Sequence, residues 1–228
     1  MSNLECPSWV PIFPLPNAVL LPRVVLPLHV FEARYRQMTE DALAGDRLIA
    51  IALLKPGFEA QYHTLDAEIH PDICVGRILR EERLTDGRFN FLLQGITRAK
   101  VLNENKERPY RRARIAPVVP RELQPNTECE IRRNIRRLLE GDALRPIATE
   151  ANWIEMLKCS SLTLSDVIDV VAAAVLTECE DKQCFLSNPC VEQRGRCLCE
   201  VLKSIAGQIE QAQTMKQCRN WPPDLSEN

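Results

Sequence analysis

Five cysteines crowd one stretch of this chain: Cys179, Cys184, Cys190, Cys197 and Cys199. Thiolates at the right spacing bind zinc or exchange electrons. Structural zinc sites are usually built from Cys-x2–4-Cys pairs, and only Cys179-x4-Cys184 comes near that pattern. Cys190 and Cys197 lie seven residues apart, on one face of a helix. Cysteine is also a small, readily buried hydrophobe. The expectation is that the cluster fills a core, with metal or redox chemistry and disulfides as the lesser readings. Histidine offers little more. His29 in "LPLHVFE" reads as a side chain packed at a strand-to-helix corner and bonded to backbone, and His63 and His70 fall in a loop. Glu32 and Arg34 stand two apart at the start of a helix, where side chains at that spacing do not face each other. Glu32 is expected to serve the helix N-terminus, and Arg34 an inter-strand carboxylate or carbonyl.

Arg132, Arg133, Arg136 and Arg137 give one helix a basic face that could meet an anion or RNA. No aromatic platform accompanies it, so a solvated face is expected. There is no G-x-x-x-x-G-K-[ST] to cradle nucleotide phosphates and no nucleophile–base pair. Catalytic, metal and cofactor-binding residues are therefore all expected to be absent. The loop Lys55–Asp72 is the better candidate for function. It sets Phe58, Tyr62 and Leu65 among polar residues, which either fold back on a core or offer a polypeptide-binding surface.

The elements that must hold these residues divide the chain in two. Most of its 16 prolines precede residue 126, where an interior Pro makes helix costly. Strands are expected at Val10–Phe13, Val24–Leu28, Leu48–Leu54, Cys74–Arg83, Phe89–Gly95, Arg98–Asn103 and Arg112–Val119. Asp-Gly in "TDGR" signals a hairpin. Beyond it, Phe89, Phe91 and Leu93 alternate with Asn90, Leu92 and Gln94, one face buried and one wet. One helix, "EARYRQMTEDALAG", interrupts the strands, with Gly45 as its stop and Tyr35, Met38, Ala42 and Leu43 as its apolar stripe. Pro11, Pro14, Pro16, Pro22 and Pro27 cut an otherwise core-like stretch. Proline belongs at strand starts, edges and bulges, so this stretch reads as short strands turning corners in a small closed barrel.

"PVVPRELQP" marks a boundary. Helical periodicity follows over Thr127–Leu139, Thr163–Thr177 and about Cys179–Leu186, and then over a last helix with Asn188 as N-cap and Pro189 at its first position. Its expected stripe is Val191, Leu198, Val201, Leu202, Ile205 and Ile209. Net charge is −2, which gives no general push toward nucleic acid or anionic membrane. The longest apolar runs are too short for a membrane span, and the N-terminus has no signal-peptide pattern. A cytoplasmic protein is expected.

Taken in order, "FPLP" (13–16), "PRVVLPLH" (22–29) and "FEARY" (31–35) resemble the opening of the Lon protease N-terminal, substrate-binding domain. "VGRILREERLTDGRFNFLLQGITRAKV" from Val75, "PYRRARIAPV" from Pro109 and Arg194 in "CVEQR" extend the resemblance over about residues 8–215. It implies an α+β fold: a PUA-like β pseudo-barrel with one inserted helix, followed by a small C-terminal helical bundle. The expected divisions are 8–120 for the LON β-barrel subdomain, 126–217 for the helical subdomain and 218–228 for a tail. It also implies recognition of polypeptide. No P-loop or peptidase segment is found, so the family's proteolysis is not expected here. The reading is a non-catalytic module that binds unfolded or damaged polypeptide, or a partner in proteolysis. The alternative is an RNA-binding PUA-like protein.

Overall fold

The computed structural model describes residues 9–121 and 123–219. It is a mixed α+β structure with a six-stranded sheet and seven helices. Its contacts form two compact units. One joins the chain through Arg121 to Asp169–Cys190, and the other joins Glu122–Ile168 to the chain from Val191.

The first unit is built on β1 (Val10–Leu15), β2 (Val25–Val30), β3 (Leu48–Leu53), β4 (Asp72–Arg83), β5 (Phe89–Asn105) and β6 (Arg112–Val118). They pair in the order β2-β5-β4-β3-β1-β6, and β6 also pairs with β5. The pairings therefore run in a closed ring through β5, β4, β3, β1 and β6, with β2 attached outside it on β5. Only β1 and β3 run parallel; the other pairs are antiparallel. Val10, Ile12, Leu48, Ala50, Ala52, Ile73, Val75, Ala99 and Ala113 fill one shared core. Helix α1 (Ala33–Ala44) packs on β1 and β3, which buries the opposite face of β3 as well. That explains why "LIAIAL" is apolar throughout rather than alternating.

The expected strands at 89–95 and 98–103 are one strand. β5 continues through Gly95–Thr97 by a bulge, because Val75 pairs with Thr97 and Gly76 with Gly95, leaving Ile96 extra. Gly95 permits this. A Cβ there would sit 2.2 Å from the Leu21 carbonyl oxygen, which the backbone cannot tolerate. The hairpin turn at "TDGR" forms with Gly87 at φ 83°, Leu84 N–H donating to Arg88 and Gly87 N–H to Leu84.

The prolines of the opening stretch avoid the ladder. In β1 the Ile12 N–H donates to Arg111 on the β6 side, and the Leu15 carbonyl accepts from Leu54 on the β3 side. Alternation then aims Pro14 toward β6, whose pairing has ended, and Pro11 toward β3, whose pairing has not begun. β2 pairs only with β5 among the described residues. The Val24 carbonyl accepts from Gly95, so Pro27 falls on the parity that faces the open edge.

Two further segments belong to this unit: the end of α5 (Leu164–Val175) from Asp169 onward, and α6 (Cys179–Ser187). A buried ion pair ties them to the sheet. Both Arg98 Nη atoms donate to the Asp169 carboxylate at 2.7 Å, and Arg98 Nε donates to the Leu186 carbonyl at 3.1 Å. Gln183 adds a bond from its Nε2 to the Asp72 carbonyl at 2.8 Å.

In the second unit, α2 (Pro125–Leu139) packs along α7 (Val191–Arg219) through Ile131, Ile135 and Leu139. Gly195 lets them close, since a Cβ there would meet Ile131 at 2.6 Å. Two short helices not expected from the sequence, α3 (Arg145–Glu150) and α4 (Trp153–Lys158), complete it. Arg194 is fully buried and donates to Ser165 Oγ at 2.8 Å. Of the expected α7 stripe, Val191, Leu198 and Leu202 are buried, whereas Val201, Ile205 and Ile209 are half-buried. The start of α7 differs from expectation. Asn188 Oδ1 accepts from the Cys190 N–H in a turn, and the helix begins only at Val191. Of the expected tail, 218–219 lie in α7 and 220–228 lie outside the described residues.

Removing one partner of a buried ion pair leaves an uncompensated charge, at a cost of about 3–5 kcal/mol. Arg98→Met should therefore lower unfolding free energy by about that amount, and adding Asp169→Leu should restore much of it. Urea denaturation of the two variants checks this, and an Arg98→Met protein as stable as wild type would contradict it.

Candidate functional site

The outward face of β2, β5 and β4 presents several exposed apolar side chains together. Antiparallel register places them in rows. Val25 opposes Gln94, which opposes Arg77; Pro27 opposes Leu92, which opposes Arg80; His29 opposes Asn90, which opposes Glu82. A bulge makes Leu79 extra beside Arg80, so both oppose Leu92. Val25 is 41% exposed, Leu92 38%, Leu79 50% and Phe31, just past β2, 62%. Cross-strand neighbours sit about 4.5–5.5 Å apart at Cβ, so Pro27, Leu92 and Leu79 adjoin. The third row is a polar border: His29 Nδ1 lies 2.7 Å from Asn90 Oδ1, and Asn90 Nδ2 donates to Glu82 at 3.2 Å.

Beyond Phe31 the face ends at the N-terminus of α1, where the 55–71 loop is pinned. Arg34 Nη2 donates to the Tyr62 carbonyl at 2.9 Å, and Arg34 Nε donates to Glu32 at 3.0 Å. The Tyr62 hydroxyl donates to Glu32 at 2.9 Å. The Arg34 guanidinium also lies over the Tyr35 ring, 4.3 Å from its centroid. Burial, followed by the neighbouring Tyr35 and the hydrogen-bonded Glu32 carboxylate, pushes the Tyr62 phenol far above its ordinary value. Burial likewise raises Tyr35 to about 12, against the opposing pull of Arg34.

Several residues sit otherwise than expected. Glu32 and Arg34 do pair, because Glu32 is the extended N-cap residue at ψ 135° and the helical two-residue rule does not govern it. Arg34 reaches a carbonyl, but one in the loop rather than on a strand, and the Glu32 side chain makes no cap bond to the helix because Arg34 and Tyr62 take it. His29 is exposed on β2 and bonded to a side chain, not packed at a corner against backbone. The cysteines are not a core set: Cys199 is buried, Cys179 and Cys190 are half-buried, and Cys184 and Cys197 are exposed. Helix α6 and the first turns of α7 bury other side chains, Phe185, Leu186, Val191 and Leu198. No three His, Cys, Asp or Glu side chains among the described residues converge as around a metal ion. On α2, Arg132 is taken by the Leu157 carbonyl and Glu128, and Arg136 by Glu140.

Phe58, Tyr62 and Leu65 are all half-buried. Phe58 and Tyr62 pack against the sheet core, so the loop folds back rather than standing off. The outward face itself was missed by sequence reasoning. Its signal was Leu92, the one apolar residue on the wet side of an otherwise clean alternation.

Two solved structures share the fold over most of the chain. The N-terminal domain of a Mycobacterium avium complex Lon protease covers 86% of this chain and 98% of its own, with TM-score 0.63 and 19% identity. A Lon N-terminal domain protein from Xanthomonas campestris covers 83% and 96%, with TM-score 0.58 and 19% identity. Residues 9–204 match the family described as the ATP-dependent protease La (LON) substrate-binding domain, and the chain belongs to that family. The Lon protease of Desulfosudis oleivorans is 25% identical over 206 residues, which is 90% of this chain and 25% of that protein. That of Flavobacterium johnsoniae is 35% identical over 118 residues, 52% of this chain and 14% of that protein. The chain thus spans a quarter or less of these two relatives. No helix among the described residues is long and apolar enough to cross a membrane.

All three tyrosines of the chain are Tyr35, Tyr62 and Tyr110. Burial and its hydrogen bond to Asp41 raise Tyr110 to about 12 as well. The native protein should therefore show almost no phenolate absorbance at pH 10, where the urea-unfolded chain is half ionised. Because the folded values are raised, this stabilisation is complete below about pH 10 and is lost as pH climbs toward 12. A native ultraviolet titration with its midpoint near 10 would contradict the buried cluster.

Proposed function

We propose that this chain is a non-catalytic recognition module that holds apolar segments of unfolded or damaged polypeptide on the outward face of β2, β5 and β4. The observation that carries the reading is that the exposed side chains of Val25, Pro27 and Leu92 stand side by side on paired strands, with Leu79 in the adjoining bulge of β4 and Phe31 just past β2. Contiguous exposed apolar surface of this kind marks interaction sites. Membership of a substrate-binding family supports the same reading. We read the closed ring of pairings as the PUA-like pseudo-barrel, 126–217 as the helical subdomain, and the setting as cytoplasmic. Of the loop residues Phe58, Tyr62 and Leu65, Tyr62 bonds to Glu32 and Arg34 at the start of α1, which fixes the loop beside Phe31.

Burying roughly 300 Å² of apolar surface at about 25 cal/mol per Å² yields about 7 kcal/mol. Ordering the bound segment takes back much of this, leaving affinities of micromolar or weaker. A labelled, uncharged peptide of Leu, Val and Gln should bind in this range and tolerate added salt. Leu79→Ser with Leu92→Ser should weaken it about 30-fold, because two side chains of roughly 1 kcal/mol each are removed from the contact. Unchanged binding by that variant would move the site elsewhere, and ATP hydrolysis or casein cleavage by the chain alone would end the non-catalytic reading.

A further inference from the structure

The charged border of the same face carries information about what it selects. Along β4, most of the charged side chains near the face are committed. Glu81 pairs with Arg47, Arg83 with Glu40 at 3.0 Å, and Glu82 accepts from Asn90 at 3.2 Å. On the neighbouring turn, Arg88 pairs with Asp86 at 2.6 Å. Arg77 and Arg80 differ. Both are exposed, and neither side chain has a hydrogen bond or ion pair among the described residues. Their register places them beside the apolar side chains: Arg77 opposes Gln94, Arg80 opposes Leu92, and Leu79 lies between them in sequence. Neighbouring strands are about 4.8 Å apart. Arg80 is therefore one strand from Leu92 and two strands, about 10 Å, from Pro27, within the span of adjacent side chains on one bound segment.

We propose that the outward face selects polypeptide segments in which acidic residues adjoin apolar ones, with Arg77 and Arg80 receiving the carboxylates while Pro27, Leu79 and Leu92 receive the apolar side chains. The proposal rests on the reading of this face as the polypeptide-binding surface. A guanidinium presents a planar fork that matches a carboxylate in two parallel hydrogen bonds. When a bound apolar segment displaces water from Leu79 and Leu92, the flanking arginines are partly desolvated, and an unmatched arginine or an opposing lysine then becomes costly. The face would discriminate among unfolded segments by charge as well as by hydrophobicity.

The test uses the whole chain and three short peptides identical in their Leu and Val positions, with the intervening polar positions filled by Glu, Gln or Lys. Wild type should bind the Glu peptide about 3- to 10-fold more tightly than the Gln peptide, the range expected for two exposed ion pairs, with the Lys peptide weakest. In Arg77→Gln/Arg80→Gln the Glu-to-Gln affinity ratio should fall to about 1. Its thermal midpoint should match wild type, because both arginines are exposed and unpaired. Equal wild-type affinity for the Glu and Gln peptides overturns the proposal but leaves the polypeptide-binding face standing. A Glu preference that survives in the double variant overturns it too. Gln-peptide binding that ignores Leu79→Ser/Leu92→Ser overturns the underlying face instead. Single-stranded RNA bound more tightly than the Glu peptide, and lost in the arginine variant, would assign the two arginines to phosphate and overturn the proposal.

Discussion

One strand is hydrogen-bonded to three others, and that arrangement sets the first unit. The early part of β5, through Gln94, holds β2 on one side while β4 pairs along most of its length. After the bulge at Gly95–Thr97, its later part, from Arg98, holds β6. The bend depends on a residue without a Cβ, because the Leu21 carbonyl passes against Gly95. A straight β5 could not serve β2 and β6 in turn, and the ring through β1 and β3 would stay open. Because β2 attaches outside that ring, its outward side chains have no covering element among the strands. The exposed face is a consequence of how the sheet closes.

Polar groups then fix what apolar packing alone would leave loose. Hydrophobic burial is non-directional, whereas the bonds of Arg98 to Asp169 and to the Leu186 carbonyl fix β5 against the end of α5 and against α6. The Glu32–Arg34–Tyr62 group acts similarly on a smaller scale, tying a long loop to one helix end. Such networks contribute less to net stability than to a single well-defined geometry, since the desolvation of buried charges offsets most of their attraction. Here that geometry keeps Phe31 and the end of β2 in a fixed relation to the loop.

Much of this was legible in the sequence. Period-two alternation located most strand cores, Asp86-Gly87 located the hairpin, and the prolines marked where β1 and β2 lack partners. What escaped had physical causes. A bulge is invisible to alternation counts, so β5 read as two strands. Glu32 looked helical in sequence but is extended in the chain, so its bond to Arg34 was ruled out by a rule that did not apply. Cysteine is ambiguous between core and surface, and neighbouring Phe185, Leu186 and Leu198 took the buried positions. The apolar face was hidden because its members come from three strands, and only the register brings Pro27, Leu92 and Leu79 side by side.

The central claim is that polypeptide binds on the outward face of β2, β5 and β4. The most direct measurement is amide hydrogen exchange of the intact chain with and without a saturating apolar peptide. Added protection should concentrate in residues 25–31, 77–82 and 89–94, with the 55–71 loop changing little. Protection confined to the loop, or to α2 and α7, would contradict the account.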